Sequence, residues 1–349
     1  MVKEFNEFRV SNDAFDNPEE LRRRLDEEGY IFFRKLQDPD KLLSLRRDML
    51  EVLREAGWLV DGTELMDGIA DISEQCTEGD PEYTEVYHTM YKLESFHLSG
   101  HWPEVMAMME KVINGPVLPH PMKIARLWFP KYTDHTTPIH QDFVHFQGVF
   151  DTYTCWAPVG DCPTELGGLA VLPGSHKINK VHDHHFSLGT GALSISEKDI
   201  EGGWVTTDYE IGDSLIFHSL TVHQALPNLT EDRLRVSLDN RYQSAEFAIA
   251  GHMLEPHLGG EEAIKWDEVY RDWSSTELQY YWKGLELEAL ARIEKWGAQA
   301  FEEALELARR GDKHATYHLR RMLKWETESE PAKRAIEVLE RANQLIRNS

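Results

Sequence analysis

Between Lys123 and Tyr242 the chain breaks into short β-forming runs, a pattern that limits its fold more than any other feature. Residues 124–129, 148–156, 169–172, 204–207, 214–217 and 234–238 are rich in β-branched and aromatic side chains, and clusters of Gly, Pro, Asn and Asp separate them. Strands this short gain stability by pairing with others far along the chain, as in a sandwich or barrel. The flanks read differently. Asn17-Pro18-Glu19-Glu20 offers a cap, a proline suited to the first turn and acidic residues behind it, so a helix is predicted over 18–28 with Gly29 as its stop. Tyr30-Ile31-Phe32-Phe33 is a short apolar strand, and Asp38-Pro39-Asp40 opens a second helix whose Leu42, Leu45, Met49 and Leu53 recur at helical spacing. A further helix is expected over 102–113, whereas 57–91 is acidic and weakly periodic.

Beyond Tyr242 the strand signals stop. Residues 276–346 are nearly free of Gly and Pro and predict three or four helices. Apolar positions there, among them Trp282, Leu285, Leu290, Ile293, Leu305, Leu319, Leu339 and Ile346, are too many for a solvated tail. They must bury against something, as a lid or as a homo-oligomer contact. The expected fold class is therefore mainly β with framing helices and an α-helical C-terminal extension. The expected division is a domain over 1–250, with its β core at about 120–243, and the extension over 251–349.

A chain of 349 residues is long enough to bury a large core. Lys and Arg number 37 against 61 Asp and Glu, and a net charge of −24 repels polyphosphate backbones and anionic membrane surfaces. No nucleic-acid or membrane partner is expected. Three cysteines without a CxxC pair support neither a disulfide framework nor a thiolate zinc site. No stretch reaches the roughly 20 apolar residues that span a bilayer. Residues 1–8 lack the apolar run of a secretory signal, so a soluble, cytoplasmic protein is expected.

Chemistry is concentrated in Pro138-Ile139-His140-Gln141-Asp142. In an extended strand His140 and Asp142 project from one face, so an imidazole and a carboxylate meet at one point. With a histidine from a distant strand they would hold a metal and leave half its coordination sphere open, the arrangement that suits non-haem Fe(II) activating oxygen. His218 and His223 are both available as that third ligand. Downstream, Leu234, Val236 and Leu238 alternate with Arg233, Arg235, Ser237, Asp239 and Arg241. The polar face is either a solvated strand surface or a pocket wall on which a guanidinium forks onto a carboxylate with a hydroxyl beside it. His182-Asp183-His184-His185 falls in a long connection and reads as a solvated or lid loop.

Taken in chain order, several segments resemble the phytanoyl-CoA dioxygenase (PhyH) family of Fe(II)- and 2-oxoglutarate-dependent oxygenases. They are His140-Gln141-Asp142, Trp156, Gly167-Gly168 through Ser175-His176, Gly212-Asp213 through His218, His223 with Pro227-Asn228, and Arg235-Val236-Ser237. The likeness covers about 18–242 and leaves the chain beyond 250 unexplained. It implies a double-stranded β-helix, or jelly roll, with helices packed on one sheet. It implies that His140, Asp142 and His223 hold Fe(II), with His223 preferred to His218 because it directly precedes the Gln-Ala-Leu-Pro-Asn turn. Arg235, in preference to Arg233, and Ser237 would bind the distal carboxylate of 2-oxoglutarate, with Trp156 beside the cosubstrate and Gln141 at the pocket rim. The implied activity is hydroxylation of an unactivated C–H bond of a small molecule by dioxygen, with succinate and CO2 as coproducts. A residue as large as Asp142 argues against a halogenase, in which a small residue stands at this position. The rival reading is a vestigial PhyH-fold scaffold that recruits partners through its acidic helical tail.

Overall fold

The computed structural model describes residues 5–258 and 264–347, the side chains of 342–347 excepted, so the apolar side chain expected at Ile346 lies outside the described residues. Strands are numbered in chain order. One sheet holds β2 (Tyr30–Phe33), β3 (Val117–Pro119), β4 (Ile124–Trp128), β5 (Thr152–Pro158), β10 (Ser214–His218) and β12 (Arg235–Ser244). The other holds β1 (Asn6–Glu7), β6 (Leu169–Val171), β9 (Val205–Thr206) and β11 (His223–Ala225). Two short pairs stand apart: β7 (His185–Phe186) with β8 (Leu193–Ser194), and β13 (Ile249–Ala250) with β14 (Ala289–Leu290). The larger sheet runs β2-β10-β5-β12-β3, with β4 also on β12, and the smaller runs β1-β9-β6-β11. Neighbours are thus remote in sequence, as the short runs require.

Alternation along the strands decides which side chains meet. Tyr30 and Phe32 of β2, Trp156 of β5 and Leu215 and Phe217 of β10 turn toward Leu169, Val171, Val205 and Ala225 of the smaller sheet and form the core between the sheets. Ile31, Phe33, Cys155, Ile216 and Tyr242 face the other way, under α1 (Pro18–Glu28) and α5 (Pro103–Ile113). The N-terminal end of α1 is set by Asn17, whose side-chain oxygen accepts the Glu20 N–H at 3.1 Å. Gly29 ends the helix at φ 78°, and a Cβ there would lie 2.5 Å from the His176 ring and 2.7 Å from the Thr221 hydroxyl.

The segment 57–91, weakly periodic by hydrophobicity, contains a helix. α2 (Pro39–Glu55) packs on α3 (Pro81–Tyr91), where Tyr83, Tyr87 and Tyr91 form the buried stripe at i, i+4 and i+8. Two small helices, α4 (Glu94–Ser99) and α6 (Phe143–Phe146), complete the N-terminal and central parts.

Residues 276–294 depart from the expected helix: they hold a 3-10 turn at Tyr281–Gly284 and strand β14. Aromatic packing sets this path, since Trp282 lies against Trp266 of α7 (Trp266–Val269) at 5.1 Å between ring centroids and Tyr280 lies against Tyr270 at 5.0 Å. Ile249, Met253, Trp266 and Trp282 belong to the same core as α2 and α3, so packing continues across the boundary expected at residue 250. The three helices α8 (Lys295–Arg309), α9 (Lys313–Met322) and α10 (Glu330–Arg347) close a small core of their own around Ala304, Leu305, Leu319, Val338 and Leu339. Leu285, Leu290 and Ile293 stay exposed, against expectation. Among the described residues no helix is long and apolar enough to cross a membrane.

Candidate metal centre and adjoining cavities

His140 and His223 face each other across an antiparallel bridge, each backbone N–H donating to the other's carbonyl at 2.9 and 3.0 Å. The imidazole Nδ1 of His140 donates to the Pro138 carbonyl at 2.8 Å and that of His223 to the Thr221 carbonyl at 3.0 Å. Because a carbonyl only accepts, both protons sit on Nδ1 and both Nε2 atoms keep a free lone pair. These converge on Asp142 Oδ1, at 3.4 Å from His140 and 3.6 Å from His223. Among the described residues these three form the single cluster of potential metal ligands, one atom from each within 4.8 Å of the others, and all are buried.

The expected route to this convergence needs a correction. His140 makes one isolated bridge with His223, and Asp142 has φ −55° and ψ −31° at the start of α6. A bend into the helix, not strand alternation, returns the carboxylate to the imidazoles. Its second oxygen, Oδ2, accepts from the Thr154 hydroxyl and from Arg241 Nη2 at 3.5 Å. Burial alone would raise the Asp142 carboxyl, but the Arg241 guanidinium beside it holds it well below the carboxylate range. Burial, with His140 beside it, pushes His223 down to about 3, so its imidazole is neutral at physiological pH. A carboxylate oxygen and two imidazole nitrogens on one side of a point are a donor set for a divalent first-row metal such as iron.

Two cavities meet at His140, and the inner one also borders Asp142 and His223. The inner one is narrow and lined by Thr137, Trp156, Leu169, Phe217 and Arg235. Arg235 is 2% exposed, donates to the Gly167 carbonyl at 2.8 Å and leaves Nε without a partner. Burial lowers its guanidinium to about 10, which leaves it charged. The Ser237 hydroxyl is buried and unpartnered, though Ser237 is not among the residues lining either cavity. A buried guanidinium that keeps an open donor on a narrow space fits a carboxylate of a dianionic cosubstrate such as 2-oxoglutarate. The outer cavity, about 560 Å³, reaches His140 between Phe146, His145, His252 and His257.

Gln141 reaches neither cavity. Its amide donates to the Leu220 and Lys180 carbonyls and accepts from the His182 N–H, so it ties the 180–182 loop to the segment that carries His140 and Asp142. His218 stands on the outer side against Tyr153 and His176, paired with Asp151 at 3.4 Å. In the four-residue histidine stretch, His184 accepts the Gln141 N–H and is buried, while His185 pairs with Glu303 of α8. Thr154 was not singled out by the sequence reading, although it lies two residues from Trp156 on one strand, and that period carries the signal. Arg126, Asp239 and Glu78 were likewise missed as a group: Arg126 Nε donates to Asp239 at 3.2 Å and its Nη1 to Glu78.

Residues 25–236 match the family model "Phytanoyl-CoA dioxygenase (PhyH)". The chain is 26% identical over 285 residues to a 1-deoxypentalenic acid 11-beta-hydroxylase of Streptomyces arenae, covering 78% of this chain and 94% of the relative. It is 21% identical over 223 residues to a probable phytanoyl-CoA dioxygenase of Caenorhabditis elegans, covering 61% and 71%. Among solved structures it is similar to the non-heme alpha ketoglutarate dependent epimerase SnoN from nogalamycin biosynthesis, at 19% identity and a TM-score of 0.46, covering 72% of this chain and 93% of that one. With more than half of its length inside the family model, the chain belongs to the phytanoyl-CoA dioxygenase (PhyH) family of Fe(II)- and 2-oxoglutarate-dependent oxygenases.

Proposed function

We propose that His140, Asp142 and His223 hold Fe(II), and that Arg235, with the Ser237 hydroxyl, takes the distal carboxylate of 2-oxoglutarate in the inner cavity beside Trp156. The observation that carries this is the convergence of two lone-pair-bearing Nε2 atoms and one carboxylate oxygen on a narrow cavity that the buried Arg235 also lines. Iron bound there supplies the chemistry that couples dioxygen to decarboxylation of 2-oxoglutarate, with succinate and CO2 as products. The chain's own residues orient and exclude. The Nδ1–H bonds fix both imidazoles, Thr154 and Arg241 hold Asp142 so that Oδ1 faces the histidines, and the walls of the outer cavity shield the reacting C–H bond from water. The product is the hydroxylated small molecule, and the relatives named as hydroxylases of 1-deoxypentalenic acid support that outcome over other oxygenase reactions.

The two facing sheets are read as the double-stranded β-helix, or jelly roll, of the family, framed by α1, α2 and α5 on the larger sheet. The catalytic unit extends through the aromatic layer ending near residue 284, and α8 to α10 form a lid-like extension whose apolar residues find partners inside the chain. A screen of metabolite extracts, reading Fe(II)-dependent succinate formation above the uncoupled rate, tests the proposal. A fraction that stimulates succinate and yields a product heavier by one oxygen supports it. Stimulated succinate with no oxygen gained by any compound contradicts hydroxylation.

A further inference from the structure

The outer cavity carries its buried charge on one ion-pair system. Glu78 and Arg126, with side chains 16% and 13% exposed, are joined to each other, and Arg126 is joined again to Asp239. Arg126 borders both cavities, so of the two guanidiniums that line the outer cavity it is the one shared with the metal-binding cavity. It is already matched by two carboxylates. The remaining charged residues of the lining, Glu255, Lys265 and Arg292, are exposed at the solvent side, where water screens them. What the interior otherwise offers are imidazoles and apolar walls: His145, His252 and His257 with Met122, Ile124 and Phe146. His252 spends Nε2 on the His145 carbonyl and His257 spends Nδ1 on the Tyr87 hydroxyl, and the Nδ1 of His252 is left without a partner. Such groups hydrogen-bond hydroxyl and carbonyl oxygens.

We propose that Glu78, by neutralising Arg126 together with Asp239, makes the outer cavity selective for a substrate that presents an uncharged oxygen function there and against one that presents a carboxylate. This rests on the oxygenase reading and deepens it to a substrate class. A carboxylate entering this space would lose its hydration and face Glu78 with the Arg126 guanidinium already matched, and like charges brought together in an interface repel. The loop bearing Glu78 is held from outside by the turn after α9: the Trp325 indole N–H donates to the Gly79 carbonyl at 2.7 Å, and Lys324 pairs with Asp80 at 3.4 Å.

The test is calorimetric titration of the anaerobic protein, loaded with Fe(II) and 2-oxoglutarate, with cyclohexanecarboxylate and with its uncharged isostere cyclohexanecarboxamide. A protein that develops no visible charge-transfer band on loading refutes the oxygenase reading before any probe is added. In the loaded wild type the amide is expected to bind more tightly than the carboxylate. Glu78→Gln removes one negative charge and keeps the shape, and carboxylate binding is expected to strengthen about tenfold or more with little change for the amide. Glu78→Asp keeps the charge and is expected to keep the wild-type order. The proposal is overturned if the carboxylate binds no better to folded Glu78→Gln than to wild type, including no measurable binding to either, or if Glu78→Asp behaves like Glu78→Gln. Should Glu78→Gln fail to fold, the wild-type order remains a test, and preference for the carboxylate overturns the proposal.

Discussion

Arg233 and Arg235 are two residues apart in the alternating run and live in opposite surroundings: the first is exposed, the second is buried and lines the inner cavity. Arg235→Ala is therefore expected to raise the 2-oxoglutarate concentration needed for succinate formation on the order of 100-fold, since losing one partner of a buried charge pair costs several kcal/mol. Arg233→Ala is expected to change it by less than about fivefold, the scale of a solvated charge. Equal effects would contradict the assignment of the anchor. Sequence alternation assigns both arginines to one face, but burial, which separates them, depends on β4 and β5 closing over β12 and is not visible in a local pattern. Lys123 makes the same point. It is 2% exposed, its amine donates to the His120 carbonyl at 3.3 Å, and burial lowers it from 10.5 to about 7. The unfolded chain then binds this proton up to pH 10.5 and the folded chain only up to about 7, so stability rises with pH through that window. Lys123→Met is expected to remove that rise, by a few kcal/mol at most, in denaturant midpoints compared at about pH 7 and about pH 9. An unchanged slope would contradict the burial of a neutral amine.

The elements divide into those written locally and those imposed from elsewhere. α1 follows from its cap, its proline and its stop, all readable in 17–29. The stripe of α3 was hidden because its buried residues are tyrosines, which hydrophobicity ranks low although their rings bury large apolar areas. The 276–294 segment has the composition of a helix and is pulled out of one by Tyr280 docking on Tyr270, Trp282 on Trp266 of α7, and Tyr281 on His101. α6, the turn that carries Asp142 into place, is four residues long, too short to announce itself by periodicity. It is backed by α8, where Trp296 and Ala300 pack with Phe143, Val144 and Leu220. Trp296→Ala is expected to cost about 3–5 kcal/mol of stability in denaturant unfolding, the usual range for a buried Trp truncated to Ala. A loss below about 1 kcal/mol would show that α8 is not a structural backing for the metal-binding turn.

In the whole molecule the C-terminal helices touch both walls of the outer cavity: α8 supports the α6 turn, and the segment after α9 holds the loop that carries Glu78. A chain ended after residue 294 keeps both sheets and the aromatic layer. It is expected to fold with a lowered midpoint, to retain 2-oxoglutarate binding, and to lose substrate-stimulated succinate formation. Unaltered stability and coupling would contradict the role given to the extension. The family motifs between His140 and Ser237 made the oxygenase legible in the sequence, whereas the extension carries no such motif and its role emerged from contacts made across more than a hundred residues. The central claim is that His140, Asp142 and His223 together hold the iron. Anaerobic titration with Fe(II) in the presence of 2-oxoglutarate is expected to develop a visible charge-transfer band that saturates at a single iron per chain, to lose it in His140→Ala, Asp142→Ala and His223→Ala, and to keep it in His218→Ala. A band that survives His223→Ala and disappears in His218→Ala, or no band in the wild type, would contradict the account.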